Sequence, residues 1–389
     1  MASQELLKHK HICLVEDHYN PLGIVRSLGE AGINPIVLLA SKNPRLVHKS
    51  KYVKDIKLFN DVYEAYEYMV SKYSNEKYKP FVYNGSDRVT LLLDKHYNEL
   101  KDHFYFSNGQ GGIEKYLKKY DITLLASECG CHIPREELVK NGELPQKLNY
   151  PVITKAESSA SLAHWKTDSF ICNSPDELLS AYKSIRSKNV LIQEFIKKKN
   201  EYCIDGISIN AGEQVYMPYA AQYYRFSKES YGAYMYFKPI LDGELIEKIK
   251  NIIKGAKYTG IFCIEFLIGP DDQYYFLEVN FRNSGWSYAF TYGGFNLLEH
   301  WAEATIANNI DISGFNPRSS FTAMSEFEDY DMFVKTHEIG FFAWLKDFLN
   351  SDCCFVYNKN DPKPFINCIK EKIKGKIHRS INRHYEKKD

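Results

Sequence analysis

Short apolar runs and longer amphipathic stretches alternate along the first hundred positions of the chain. The apolar runs include HICLV, PIVLL and FVY, and segments such as PLGIVRSLGEAG and DVYEAYEYMVSKY lie between them. Strands buried on both faces of a sheet are typically continuous apolar runs, whereas helices that cover the sheet are amphipathic. The pattern therefore predicts alternating strands and helices, and a doubly wound parallel sheet, over residues 1–112.

The first predicted strand-to-helix turn argues against a dinucleotide cofactor. Residues 16–23 contain one glycine, Gly23, whereas the dinucleotide fingerprint needs three, which allow a tight turn and a close approach of the pyrophosphate to the backbone. We therefore expect no NAD at this turn. The glycine-rich run 108–112, which ends this part of the chain, is typical of a linker or hinge.

A different pattern follows the linker. One helix is predicted over 113–129, and strands predominate beyond residue 151, among them PVITKA, VLIQEFI, EYCIDGISIN, GIFCIEFLIG and QYYFLEVNF. The last two strands flank Gly-Pro-Asp-Asp at 269–272, which is typical of a hairpin turn. We predict an α+β domain over 113–311, closed by a helix over 296–308, and a small C-terminal region over 312–389.

Composition and charge narrow the class of protein. The chain has 389 residues, 44% of them hydrophobic and 25% charged, which indicates a folded protein of two or three domains. Its 50 lysines and arginines nearly balance its 49 acidic residues, so the net charge gives no reason to expect a nucleic-acid partner. Nine cysteines without a CxxC pair favour a reducing, cytoplasmic location. No apolar run approaches the ~20 residues that span a bilayer, so we expect no integral membrane segment.

The end of the chain is basic. Its last twenty residues contain eight Lys or Arg and three Asp or Glu, and Ile373, Ile377 and Ile381 recur every four residues. This spacing predicts a basic helix with one narrow apolar stripe. Two interpretations stay open: the stripe packs the helix against the body of the protein, or the helix makes a peripheral contact with an anionic membrane.

Two acidic residues interrupt the apolar strands of the predicted hairpin. Glu265 lies within GIFCIEFLIG and Glu278 within QYYFLEVNF, and burying a carboxylate is costly unless it pairs with a cation or a basic side chain. A hairpin can bring the two face to face, with Asn280 and Arg282 on the same side as Glu278. Oxygen ligands of this kind favour Mg²⁺, with Mn²⁺ as an alternative, and Arg282 is predicted to bind a transferring phosphoryl group. The structural alternative is that the acids only form ion pairs with Lys or Arg.

The run FLEVNFRNSGWS after GIFCIEF resembles the metal-binding end of the ATP-grasp superfamily. Members of this superfamily join a carboxylate to a nucleophile through an acyl phosphate. The resemblance extends to about residue 308 and implies a Rossmann-like domain before an ATP-grasp domain. The sequence YYRFSKESYG, which contains Arg225, is most similar to carboxylate–amine ligases related to D-aspartate ligase and to the ATP domains of carbamoyl-phosphate synthase, and this similarity implies a catalytic role for Arg225.

The same resemblance implies a set of ATP-binding residues. In the family order, Lys119 and Lys155 correspond to two nucleotide-contacting lysines, of which the second reaches the phosphates and the adenine. The segment QEFI corresponds to the strand whose backbone binds adenine, and Glu201 to the acid that binds the ribose hydroxyls. The implied ATP-binding residues are Lys119, Lys155, Glu194, Phe195, Ile196 and Glu201.

The expected activity is ATP-dependent amide formation between a small carboxylate and an amine, one of them an amino acid, with release of ADP and phosphate. A cell-wall or surface-polysaccharide precursor is the expected setting. Two alternatives stay open. One is a carboxylase that uses carboxyphosphate, although the chain carries no biotin-carrier signature. The other is a nucleotide-binding module without turnover, because the loop 156–163, commonly glycine-rich in the family, has the sequence AESSASLA here.

Overall fold

The computed structural model describes residues 2–156, 169–226 and 231–385. The first part of the chain folds as alternating strands and helices, and its five strands form one parallel sheet. These elements are β1 (His11–Glu16), α1 (Tyr19–Glu30), β2 (Ile36–Ala40), β3 (Asp55–Phe59), α2 (Val62–Tyr73), β4 (Phe81–Tyr83), α3 (Asp87–Lys95), α4 (Tyr97–Leu100) and β5 (Tyr105–Phe106). The strand order is β3-β2-β1-β4-β5, which confirms the predicted parallel sheet.

Strand β1 lies at the centre of this sheet and is covered on both faces. Cys13 and Val15 pack in the same core as Leu22 of α1, whereas Ile12 and Leu14 pack in the core that contains Val62 of α2. Successive side chains of a strand point to opposite faces. Both sets must therefore be apolar, which explains the uninterrupted hydrophobic run.

The predicted linker 108–112 is held in place at both ends. The Asp94 carboxylate accepts hydrogen bonds from the N–H groups of Gly109 (2.7 Å) and Gly111 (3.0 Å). Asn108 and Thr259 exchange backbone hydrogen bonds of 2.8 Å in each direction. The linker therefore attaches the first part of the chain to the next one instead of forming a free hinge.

The middle of the chain forms two further sheets and the helices that cover them. The single helix predicted over 113–129 is two helices in the structure, whereas the predicted hairpin and the helix after it are confirmed. The elements are α5 (Ile113–Tyr116), α6 (Lys119–Glu128), β6 (Glu136–Lys140), β7 (Val152–Ala156), β8 (Ile171–Cys172), α7 (Pro175–Tyr182), β9 (Asn189–Glu194), β10 (Asn200–Ile209), β11 (Gln214–Arg225), β12 (Tyr234–Pro239), α8 (Gly243–Gly255), β13 (Gly260–Ile268), β14 (Tyr274–Asn280), α9 (Ser287–Tyr292) and α10 (Leu297–Ala307).

The C-terminal part of the chain adds strands to the larger of these sheets. Its elements are β15 (Phe321–Met324), α11 (Glu326–Asp329), a π-helical turn (Tyr330–Val334), α12 (Phe341–Asn350), β16 (Cys353–Cys354) and α13 (Lys363–Tyr385). The smaller sheet has the order β6-β9-β7-β8, and the larger has the order β14-β13-β10-β11-β12-β15-β16. Because β15 pairs with β12, the larger sheet continues past residue 312, and the division into three domains remains a prediction.

The larger sheet separates two cores. On one face, Ile204 and Ile264 pack with Ile252 of α8. On the other face, Tyr219 and Trp301 of α10 belong to one core, which also contains residues of helix α1. The first part of the chain therefore lies against one face of the larger sheet. Among the described residues, no helix is both long and apolar enough to cross a membrane.

Candidate active site

The two acids predicted on the hairpin face each other across paired strands. Glu265 of β13 is the register partner of Glu278 of β14, and Asn280 lies opposite Cys263 on the same pair of strands. The Asn280 Nδ2 group donates to Glu265 Oε1 (3.2 Å) and to Glu278 Oε1 (3.1 Å). The structure thus brings Glu265, Glu278 and Asn280 together, while their role as metal ligands remains a prediction. We call Glu265 and Glu278 the hairpin acids.

The electrostatics of the hairpin acids favour a bound cation. Burial, the charge of Glu278 and the charge of Glu201 raise the pKa of Glu265 well above its usual value, and Arg282 opposes them. A carboxylate oxygen of Glu201, the Sγ atom of Cys203 and a carboxylate oxygen of Glu265 all lie within 4.8 Å of one another. Burial also raises the pKa of Cys203 well above the usual thiol range, so this thiol is neutral and is a poor ligand. The carboxylate oxygens that remain fit a hard cation such as Mg²⁺.

Arg282 connects the hairpin acids to the parallel-sheet domain. Its Nη2 group donates to Asn280 Oδ1 (3.0 Å), and its Nε atom lies 3.2 Å from Asp87 Oδ1 at the start of α3. Burial raises the pKa of Asp87, while Arg282 lowers it. Asp87 has no functional signal in the sequence, because an acidic residue in the first turn of a helix is common and needs no functional explanation.

Lys155 places a cation close to this cluster. It lies on β7 of the smaller sheet, and its pKa is lowered to about 8, first by burial and then by Lys119, while Glu278, Glu136 and Glu201 oppose the shift. Both predicted lysines therefore lie close enough to influence each other, and Lys155 lies close to the acids of the larger sheet. Lysines that lie close to paired acids and an arginine can bind a magnesium-chelated polyphosphate.

The remaining predicted nucleotide contacts lie next to the strands that carry Lys155 and Glu265, since Glu194 is the register partner of Val152 in β7 and Glu201 that of Leu267 in β13. The exposed Glu194 carboxylate pairs with Arg135, with 3.1 Å between Oε2 and Nε, and the Phe195 N–H donates to the Pro151 carbonyl (3.1 Å). Glu201 is buried and forms an ion pair with Lys198. The adenine and ribose contacts predicted for Glu194, Phe195, Ile196 and Glu201 remain predictions.

The structure gives Arg225 different neighbours from those of the hairpin acids. Its guanidinium forms ion pairs with Asp329 and Asp347. It also lies over the ring of Tyr234, at 5.1 Å from the centroid, and over the ring of Phe333, at 5.5 Å. These contacts attach the end of β11 to the C-terminal region, so a catalytic role for Arg225 remains a prediction with no contact to the hairpin acids in its support.

Asp205 is a further buried acid beside the site. It lies in β10 and is 1% exposed, and its Oδ2 atom accepts hydrogen bonds from Ser284 Oγ (2.5 Å) and Ser287 Oγ (2.7 Å). These bonds fix the segment after β14, which carries Arg282. The sequence analysis missed Asp205, although it interrupts an apolar strand in the same way as Glu265. The predicted phosphate-covering loop lies outside the described residues beyond position 156.

The fold, with its parallel sheet and the two further sheets that bring lysines close to paired acids, is similar to that of solved ligases, as the resemblance to the ATP-grasp superfamily implied. The L-amino acid ligase from Bacillus licheniformis has this fold, with a TM-score of 0.62, 13% identity, and coverage of 81% of this chain and 79% of that one. The N5-carboxyaminoimidazole synthetase from Staphylococcus aureus complexed with ADP gives a TM-score of 0.64, 14% identity, and coverage of 84% and 85%.

A curated protein gives a more specific similarity. The D-aspartate ligase of Enterococcus faecium (strain Aus0004) is 23% identical over 257 residues. The alignment spans 61% of this chain and 61% of that relative. No family model matches the chain. The likeness to ATP-grasp ligases therefore rests on a distant relative and on the fold.

Lys155 gives the first testable prediction. We expect Lys155→Ala to weaken ATP binding by about 1.5–3 kcal/mol, the range for a hydrogen bond to a charged group. The wild-type amine is charged below about pH 8, and bound phosphates favour the charged form. ATP affinity should therefore fall as the pH rises above this value, with proton uptake on binding. Calorimetric titration between about pH 7 and 9.5 measures both effects.

The matched variant for this test is Lys155→Arg, which keeps its charge at every pH used. It should remove the loss of affinity above pH 8. Lys155→Ala should leave the unfolding midpoint of the nucleotide-free protein nearly unchanged, because desolvation already disfavours the charged form of this half-buried lysine. An alanine variant with wild-type ATP affinity would exclude Lys155 from the site.

Proposed function

We propose that the protein is an ATP-dependent carboxylate–amine ligase that forms an amide and releases ADP and phosphate. The observation that carries this proposal is the cluster in which the hairpin acids face each other beside Arg282 and close to Lys155. The printed names of two similar proteins, a D-aspartate ligase and an L-amino acid ligase, support an amino acid as one of the substrates.

The chain's own residues account for the transfer of the phosphoryl group. Lys155 and Arg282 are positively charged. Their charges stabilise the transition state in which the γ-phosphoryl group moves from ATP to the substrate carboxylate. Glu265, Glu278 and Asn280 would hold Mg²⁺, or Mn²⁺ in its place, which supplies further positive charge at the phosphates. The amine then attacks the acyl phosphate, and phosphate leaves. No covalent protein nucleophile is needed.

The finer parts of the proposal rest on the sequence resemblance. Lys119, the backbone at 194–196 and Glu201 would bind the nucleotide, within an organisation of domains over 1–112, 113–311 and 312–389. A cell-wall or surface-polysaccharide precursor is the proposed acceptor. We place the reaction in the cytoplasm, in agreement with nine free cysteines.

One alternative has a specific observation in its favour. The biotin carboxylase domain of the Hydrogenobacter thermophilus 2-oxoglutarate carboxylase, solved with MgADP and bicarbonate, matches with a TM-score of 0.61, 15% identity, and coverage of 80% of this chain and 73% of that one. A carboxylase would phosphorylate bicarbonate instead of an organic acid. ADP formation that depends on bicarbonate and not on an added acid would favour this alternative.

The order of the two chemical steps gives the test of the ligase proposal. With the acid, ATP and Mg²⁺ present and the amine omitted, we expect little net ADP. The bridging oxygen between the β and γ phosphates of ATP should nevertheless exchange position, because acyl-phosphate formation is reversible. Hydroxylamine should trap the intermediate as a hydroxamate. Isotope-resolved NMR of ATP and a colorimetric hydroxamate assay across amino acids, uronic acids and short peptides measure these outcomes.

The protein should first be shown to bind Mg-ATP by titration, so that inactivity is not confused with misfolding. Acid-dependent exchange and hydroxamate formation would support the ligase. If neither occurs with any acid in a protein that binds Mg-ATP, the ligase proposal is wrong. A nucleotide-binding module without turnover then accounts better for the site.

A further inference from the structure

Helix α12 presents large apolar side chains to solvent. Phe342 is 82% exposed, Leu349 is 71% exposed and Phe341 is 47% exposed. Along a helix of 3.6 residues per turn, Phe342 and Leu349 are two turns apart on the same face. Leaving such side chains in water is unfavourable, because removing apolar surface from water lowers the free energy. We therefore expect a binding partner to cover the face of α12 that carries Phe342 and Leu349, which we call its outer face.

The opposite face of α12 is already occupied, which fixes the outer face in place. Trp344 packs edge-on against Tyr330, with ring centroids 5.1 Å apart, and Phe348 stacks with Phe365 of α13 at 6.3 Å. Asp347, on the same side, pairs with Arg225. Helix α12 cannot turn its outer face inward without breaking these contacts.

Helix α13 lies beside α12 and also exposes an apolar stripe. Phe365 stacks on Phe327 at 5.3 Å and Lys372 pairs with Asp331, so this side of α13 faces the body of the protein. A different side carries three exposed isoleucines, Ile366 (46%), Ile369 (38%) and Ile373 (52%). Ile373, the one residue of the predicted stripe whose side chain is described, is therefore about half-exposed, and the packing of the stripe remains a prediction.

Basic residues accompany these apolar side chains. Lys370 and Lys374 are exposed and follow Ile366 by one and two turns of α13. The helix continues to Tyr385, and its sequence repeats the isoleucine spacing and adds further Lys and Arg. We define the exposed apolar surface by the α12 and α13 residues Phe341, Phe342, Leu349, Ile366, Ile369 and Ile373.

We propose that the exposed apolar surface docks the protein peripherally on a membrane with anionic headgroups. Large apolar side chains beside a cluster of lysines match the acyl boundary and the headgroups of such a membrane. A protein partner would need acidic residues around an apolar groove, whereas a bilayer needs only these two chemical features. The proposal goes beyond the proposed ligase activity and does not depend on it.

The test uses the full-length chain and two kinds of vesicle. One contains only phosphatidylcholine, and the other contains about 30% phosphatidylglycerol. We expect at least ~10-fold tighter binding to the anionic vesicles in co-sedimentation, and weaker binding at ~0.5 M salt, because screening reduces the attraction of surface charges. The variant Phe342→Asp/Leu349→Asp should lower binding to anionic vesicles by ~10-fold or more.

A matched variant separates the surface from exposed apolar residues in general. Leu241 is 88% exposed between β12 and α8, outside the exposed apolar surface, and Leu241→Asp should bind like the wild type. A second variant, Lys370→Glu/Lys374→Glu, should lose the preference for anionic vesicles while keeping its fold. Unchanged unfolding midpoints show that each variant is folded.

Several outcomes would overturn the proposal. They are no binding to anionic vesicles, equal binding to both kinds of vesicle, or wild-type binding by Phe342→Asp/Leu349→Asp. Analytical ultracentrifugation provides an independent check. A dimer that forms in the wild type and is lost in this variant would show that the exposed apolar surface is an interface between two copies of the chain.

Discussion

Replacing Glu278 with glutamine should lower kcat/KM for amide formation by about 100-fold or more, comparable with the loss of one transition-state-stabilising group in other enzymes. Glutamine has nearly the same shape but no charge, so the hairpin would keep its register and lose a carboxylate ligand. Steady-state ADP release at saturating Mg²⁺, with the acid and the amine identified by the hydroxamate assay, measures the effect. Calorimetry should show weaker binding of Mg-ATP.

The stability of this variant separates a site defect from misfolding. The charge of Glu278 contributes to the raised pKa of Glu265, so removing it relieves a repulsion between two close carboxylates. The unfolding midpoint of the nucleotide-free protein should be unchanged or higher. Glu247→Gln is the matched control, because Glu247 is exposed on α8 and pairs with Lys250 at the surface. Near-full activity of Glu278→Gln would refute the assignment of the hairpin acids.

The hairpin acids were predictable because their geometry is local. Glu265 and Glu278 lie thirteen positions apart on strands joined by a short turn, and the turn sets the register as far as Phe266 and Phe276. A one-residue register shift between Phe266 and Glu265 then places the two acids opposite each other, and this shift has no signal in the sequence. A charged residue within an apolar strand marked each of them. The parallel sheet of the first domain was predictable for a similar reason, since its buried strands are short continuous apolar runs and the helices between them are amphipathic.

The contacts that the sequence did not predict join residues far apart in the chain. Asp87 and Arg282 are separated by almost two hundred positions, and Arg225 and Asp329 by more than one hundred. No local pattern marks such a pair, because each member alone is an ordinary surface type of residue. The sequence therefore indicated that Arg282 and Arg225 are functional residues. Which acid each arginine contacts depends on the fold, because the partners are far apart in the chain.

The position of the C-terminal region was also not predictable from local sequence patterns. It was predicted as a small region outside the ATP-grasp domain, and its two strands are only four and two residues long. Strands this short carry almost no period. In the structure they extend the larger sheet, and a buried ion pair fastens the region to α1. The region is therefore part of the packed structure around the site.

Breaking the buried ion pair between Arg26 and Asp361 should cause the largest loss of stability. Arg26 is fully buried and its Nε group donates to Asp361 Oδ2 (3.0 Å), while Asp361 also accepts from Ser50 Oγ (2.7 Å) and from the Lys51 N–H (2.8 Å). Asp361→Ala would leave the Arg26 charge buried without its carboxylate. Removing one partner of a buried pair costs about 3–5 kcal/mol. Urea unfolding should show this loss as a lower midpoint.

The control for this prediction is an exposed pair with the same types of charge. Asp272 is 2.7 Å from Lys199, with both side chains largely in solvent, and Asp272→Ala should cost no more than about 1 kcal/mol. The Arg26 guanidinium also donates to the carbonyls of Phe355 and Val356, so the lost stability should coincide with faster amide exchange in the segment that follows β16. Wild-type stability of Asp361→Ala would mean that these carbonyls alone hold the Arg26 charge and that Asp361 does not fasten the C-terminal region.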